Sequence, residues 1–202
     1  MGEVAMSGPA PNGSAAGDAV RREAAPGQSL RLAGIVRESI VDGPGIRFVV
    51  FCQGCPHHCP GCHNAVTHDF NGGTDTSVDK ILAAIDENPL LQGVTFSGGE
   101  PACQAAGFRA LAEGLKERNL NMYMYSGYTL EQLTEMAHVD ADLARLLSLI
   151  DVLIDGPYEE SHRDLTLEFR GSSNQRLIDM VASRNAGKVV LVADQKEITV
   201  NP

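Results

Sequence analysis

The chain has 202 residues with 16 basic and 26 acidic side chains, and its formal charge of −10 weighs against a nucleic-acid or other phosphate-binding surface. An apolar content of 43%, with no tryptophan and 5% aromatics, suits one domain with an aliphatic core and excludes disorder throughout. No run approaches the roughly 18 apolar residues that span a bilayer, and the first residues lack the pattern of a secretory signal. We therefore expect a cytoplasmic protein with no membrane partner.

Residues 1–29 hold seven Ala, five Gly, three Pro and three Ser, and no Ile, Leu or aromatic residue. Such a segment cannot bury enough apolar surface to offset its chain entropy, so a disordered tail is predicted over 1–29 and a single folded domain over 30–202. Within the domain, a strand is predicted over Arg47–Cys52. A helical stripe follows at Val78, Ile81, Leu82 and Ile85, then a strand over Gly93–Ser97 and a second stripe at Phe108, Leu111 and Leu115. Next come a strand over Asn121–Tyr125, helices over Thr129–Met136 and Ala141–Leu149, and strands over Val152–Ile154 and Lys188–Val192.

This alternation predicts an α/β fold whose mostly parallel sheet is covered by helices. A closed eight-unit barrel takes about 250 residues, so the folded part suits a partial, open β/α barrel or a twisted sheet. In either form the functional groups gather at loops after the carboxyl ends of the strands.

Four of the five cysteines, Cys52, Cys55, Cys59 and Cys62, fall within eleven residues, while Cys103 stands apart. Neighbours so close make poor disulfides, which points to metal or cluster ligation. Cys55-Pro-His-His-Cys59-Pro-Gly-Cys62 can hold three corners of an iron–sulfur cubane, leaving one iron open for chemistry. If Cys52 joins them, the cluster has four ligands and suits electron transfer. Because Cys52 continues Phe48-Val49-Val50-Phe51, a buried strand-end role is expected instead. Zinc fits poorly, because paired zinc knuckles want a dozen or more residues between them. The histidines at 57, 58, 63 and 68 are expected as loop residues or hydrogen-bond donors, and Cys103 as a buried residue near a helix end.

Two further motifs occur beside this loop. Ser97-Gly98-Gly99-Glu100-Pro101 follows a strand, where glycines let a ligand approach the backbone and a carboxylate can accept from an ammonium group. Asp42-Gly-Pro-Gly-Ile-Arg47 precedes the strand that feeds the cysteine loop. Together with Cys55 to Asn64, these segments resemble the radical S-adenosylmethionine superfamily, and within it the activating enzymes of glycyl radical proteins. Tyr125-Ser-Gly-Tyr-Thr129, Asp151-Val-Leu-Ile-Asp-Gly156 and Arg170-Gly-Ser-Ser-Asn-Gln175 are most similar to the group acting on anaerobic ribonucleoside-triphosphate reductase. The likeness spans residues 33–177.

The resemblance implies that Cys55, Cys59 and Cys62 ligate a [4Fe-4S] cluster whose fourth iron takes the methionine half of S-adenosylmethionine. It further implies that Gly98, Gly99 and Glu100 meet the cofactor's ammonium. Gly61 and His63, beside Cys62, would face the adenine, and Ser126 and Asp155 the ribose or methionine end. Gly61 departs from the aromatic residue many members carry there. Arg170 to Gln175 would belong to a partner-docking surface or to a solvated loop. No side chain is implied as an acid–base catalyst. The implied partners are the reductase and a low-potential electron donor; pyruvate formate-lyase as the protein activated, or a non-catalytic iron–sulfur carrier, are the alternatives.

Overall fold

The computed structural model describes residues 29–193. The predicted tail, apart from Ser29, lies outside the described residues, as do residues 194–202 of the predicted domain.

Among the described residues seven strands form one sheet: β1 (Ser29–Ser39), β2 (Arg47–Cys52), β3 (Thr74–Ser77), β4 (Gly93–Gly98), β5 (Asn121–Tyr125), β6 (Val152–Asp155) and β7 (Arg176–Asp179). Their order is β3-β1-β2-β4-β5-β6-β7. The middle four, β2-β4-β5-β6, run parallel, whereas β1 and β3 on one side and β7 on the other pair antiparallel. The sheet is unclosed, an α/β fold of the open kind expected.

Each parallel strand carries an apolar face into the helix-side core, and β2 and β6 are buried along nearly their whole length. Phe48, Val50 and Cys52 of β2 share one face and enter the core with Val94, Phe96, Met122, Met124 and Leu153. Helices α1 (Val78–Asp86), α2 (Ala105–Glu117), α3 (Leu130–Ala137) and α4 (Ala141–Leu149) bring Ile81, Ile85, Phe108, Leu111, Leu115, Leu133, Leu143 and Leu146 into the same core. Phe96 and Phe108 lie 4.8 Å apart between ring centroids. Burying each such side chain stabilises the fold by about 1.5–3 kcal/mol.

Helix starts follow local chemistry. Thr129 caps α3 in a reciprocal capping box with Gln132, and Asp140 accepts from the Leu143 N–H at the start of α4. A fifth helix, α5 (Met180–Ala186), is capped by Asp179 and ends at Gly187 in the left-handed conformation.

The four predicted strands from Arg47 to Ile154 and the four predicted helices are present within one or two residues. The strand expected over Lys188–Val192 is not: Leu191 makes a single bridge to Ile178. The chain there reaches only the outer side of β7, after a helix whose apolar residues are too few to read as a stripe. Strands β1, β3 and β7 and helix α5 were not anticipated.

Candidate iron–sulfur site

Beyond Cys52 the chain leaves the sheet and is stitched to a strap of residues 64–73. The Gly54 N–H donates to Thr67 O at 2.7 Å and the Cys55 N–H to His68 O at 3.1 Å. The Gln53 side chain is buried and donates to Asp69 O at 2.6 Å, while Gln104 Nε2 donates to Gln53 O at 2.9 Å. Gly54, at φ 94°, is covered by the Phe70 ring, so a side chain there would displace it. The start of the cysteine loop is thus held by the protein's own hydrogen bonds.

Cys55 is buried, Cys59 and Cys62 are half-buried, and Cys52 is fully buried. Burial pushes the Cys55 thiol up, and the backbone N–H groups of His57 and His58 pull it back toward the thiolate. Cys62 Sγ accepts the Asn64 N–H at 3.4 Å. N–H donors aimed at two of the three sulfurs suit thiolates that ligate a cluster, so these residues fit a [4Fe-4S] group. Among the described residues no three Cys, His, Asp or Glu side chains converge on one ion. A cubane needs no such convergence, because each thiolate takes a separate iron.

Cys52 lies in the helix-side core, as expected, with its thiol raised well above its usual value by burial. Cys103 overturns its expectation: it is exposed, because it sits on the outward side of the short 3-10 turn Pro101–Gln104 while Pro101 and Ala102 turn inward.

Glu100 follows β4 and is completely buried. Its Oε1 accepts from Ala102 N and from Ser126 Oγ, each at 3.0 Å. Its Oε2 accepts from Gly127 N at 2.8 Å and from His57 Nε2 at 2.9 Å. The donors come from the turn after β4, the loop after β5 and the cysteine loop itself. The His57 ring lies 4.4 Å from the Tyr128 ring and so close to Gly127 that a Cβ there would meet it at 2.4 Å.

Gly98 and Gly99 are explained by the protein's own backbone. A Cβ on Gly98, at φ 95°, would lie 2.6 Å from Cys52 N, and one on Gly99 would lie 2.3 Å from Gly54 O. Ser126 is buried at the end of β5, in the Glu100 group. Asp155 is buried at the end of β6, where it accepts from the Leu130 N–H at 2.7 Å and pairs with Arg176. Gly61 and His63 are exposed; Glu160 lies against Gly61, and the His63 ring is 5.5 Å from Tyr158.

The sheet face opposite the helices carries Phe51, Ser97 and Tyr125 into a cavity of about 470 Å³ that also reaches Cys62 and His63. Its far wall is the segment 157–175. Tyr125 donates to Phe169 O at 2.8 Å, and Phe169 holds φ 56°. Gln175 closes this wall on itself, accepting from the Gly171 and Ser172 N–H groups and donating to Gly156 O. Arg170 to Gln175 is accordingly a folded, largely half-buried wall with Ser172 fully buried, and not a solvated loop. Tyr158 and the role of Gly127 escaped sequence reasoning; the glycine after Ser126 was the available signal. A larger apolar groove of about 670 Å³ between α3, α4 and α5 contains no cysteine.

Three thiols on a loop at the carboxyl ends of parallel strands, with N–H donors on their sulfurs and a cavity alongside, define an iron–sulfur domain. Residues 41–178 match the family model described as a 4Fe-4S single cluster domain. The chain is 35% identical over 144 residues to the anaerobic ribonucleoside-triphosphate reductase-activating protein of Salmonella typhi, covering 67% of this chain and 90% of that one. The protein of the same name from Escherichia coli K12 is 33% identical over 144 residues, with the same coverage. That from Enterobacteria phage T4 is 32% identical over 143 residues, covering 68% and 86%. The chain belongs to the family of anaerobic ribonucleoside-triphosphate reductase-activating proteins. Among solved structures, QueE from Escherichia coli aligns over 50% of this chain and 54% of its own, with a TM-score of 0.41 and 17% identity.

Proposed function

We propose that this protein installs a glycyl radical on anaerobic ribonucleoside-triphosphate reductase, drawing electrons from a low-potential donor. When bound, a reduced [4Fe-4S] cluster would supply one electron to S-adenosylmethionine, releasing methionine and a 5′-deoxyadenosyl radical that takes a hydrogen atom from a glycine Cα. The observation that carries this reading is the division of the four clustered cysteines. Cys55, Cys59 and Cys62 lie on the loop, whereas Cys52 is turned into the helix-side core. Three thiolates leave one iron for a small chelating ligand.

The protein's own residues bind, orient and exclude water. Cys55, Cys59 and Cys62 hold the cluster. The resemblance gives the ammonium to the Glu100 carboxylate with the backbone of Gly98 and Gly99; because the protein's own donors fill that carboxylate, we assign the ammonium to the backbone carbonyls at the end of β4, beside the loop's start. His63 lines the cavity with Cys62, and it and Gly61, on either side of Cys62, are assigned to the adenine, with Ser126 and Asp155, at the two following strand ends, assigned to the ribose or the methionine end. The walled cavity admits a glycine-bearing segment of the reductase. No side chain is assigned an acid–base role. Residues 1–29 are read as a tail on a single domain, 30–202, and the location as cytoplasmic; no helix among the described residues is long and apolar enough to cross a membrane.

Anaerobic reconstitution followed by iron counting, cofactor cleavage and electron paramagnetic resonance tests this reading. Four irons per chain, 5′-deoxyadenosine, and a glycyl doublet on the ribonucleotide reductase are expected. A doublet formed only with a formate-lyase rejects the partner. A cluster lost on Cys52→Ala, with no 5′-deoxyadenosine from the parent protein, marks a carrier.

A further inference from the structure

Glu100 carries a carboxyl group removed from water, among the described residues no arginine or lysine pairs with it, and every acceptor direction it has is used by the protein. Such a group is strongly unfavourable unless its hydrogen bonds are complete. Two donors on each oxygen complete them. A carboxylate offers about four lone-pair sites, so no direction is left for an incoming ammonium.

From this arrangement we infer that His57 and Glu100 form a latch that sets the cysteine loop before the cluster is loaded, Glu100 being a positioning residue and not a direct ligand of the cofactor. The inference rests on the cluster assignment above and concerns how that loop is held. His57 lies midway between Cys55 and Cys59, so its Nε2–H donation pins the centre of the C-x3-C segment to the ends of β4 and β5. The segment's start is already tied through Gly54 and Cys55 to the strap. With both ties made, the Cys55 and Cys59 thiols keep their separation without metal, which lowers the ordering cost when irons bind. Gly127 is glycine because the imidazole occupies the space its side chain would take.

The latch predicts how three variants of the full-length chain behave. In Glu100→Gln one amide NH2 must face donors on one side, leaving at least one N–H unpaired. In His57→Leu the donor is lost, while His57→Gln keeps an N–H able to reach the carboxylate. Glu100→Gln and His57→Leu are expected to hold iron and sulfide about 10-fold or more weakly, the usual consequence of removing a group that orients a metal ligand. In the metal-free protein their amides between residues 55 and 62 are expected to exchange faster with solvent, whereas His57→Gln stays near the parent on both measures. The proposal is overturned if Glu100→Gln keeps parental iron content and exchange and loses only affinity for S-adenosylmethionine. It is equally overturned if His57→Leu and His57→Gln behave alike. Should Glu100→Gln fail to fold by circular dichroism, the His57 pair decides, because that side chain lies on the loop outside the sheet. A parent protein that assembles no cluster would reject the function, while the exchange comparison would still decide the latch.

Discussion

Arg47 is a charge without a counter-charge. It is completely buried, and among the described residues no carboxylate forms an ion pair with it. Its guanidinium instead donates to Thr95 Oγ1 and Asn121 Oδ1, each at 2.7 Å, and to Val94 O at 2.8 Å, and lies 4.3 Å over the Tyr123 ring. Burial pulls its pKa down to about 10, with the nearby tyrosines and acids opposing. Five N–H groups in a fixed fork thereby clamp the beginnings of β2, β4 and β5. Arg47→Leu leaves those acceptors unpaired, and we expect a loss on the order of 3 kcal/mol in urea unfolding. Arg47→Lys should recover only part of it, since three donors cannot replace the fork. A midpoint unchanged in Arg47→Leu would show that the acceptors find water. The Asp42-to-Arg47 motif was legible as a turn, but its arginine's partners lie 48 and 74 residues away, and no local pattern carries that distance.

At the level of elements, α3 is fastened to β7 by Arg176, which reaches Glu131 at 2.7 Å and pairs with buried Asp155. The hydrogen bond from Arg176 holds the Glu131 carboxyl down to about 2. A depressed carboxylate contributes stability that is complete above its unfolded pKa, near 4.3, and is lost as pH falls toward the folded value. Urea midpoints should therefore fall between pH 5 and pH 2 in the parent, and less steeply in Glu131→Gln; equal slopes would exclude the pair as a contributor. Glu131 is largely exposed, so the effect is modest and weakens with salt. Helix α3 itself could be read from the sequence, since Thr129 and Gln132 have the spacing of a capping box. Strand β7 could not. Arg176 to Asp179 shows little alternation, and its place comes from pairing with β6 across the wall of residues 157–175.

Across the molecule, parallel strands were legible because each puts an unbroken set of apolar side chains into the helix-side core. The antiparallel flanks were hidden for the opposite reason. In β1 only Leu30 and Leu32 reach the core, while Ile35 and Val36 stay about 40% exposed. The cysteine loop was equally plain from spacing alone, but the Glu100 hub was not, because its donors come from three separate loops. This division between middle and edge sets local stability. Strand β4 has ladder partners on both sides, whereas residues 34–36 pair only with β2 and residues 37 and 38 fall in a register shift. Hydrogen exchange should find the β4 amides the slowest and the outward amides of residues 34–38 among the fastest. Uniform protection across the sheet would contradict that gradient.

The position of Cys52 also bears on what air does to the protein. Its sulfur is sealed from solvent, and its acidity is suppressed, so it is a poor partner for oxygen or for another thiol. If the cluster is destroyed, the sulfurs free to cross-link are those on the loop, a few residues past the last rung of the ladder, and that of exposed Cys103 in the turn after β4. Injury of that kind stops at the sheet's rim, and a reductant restores these thiols on a scaffold that was never dismantled.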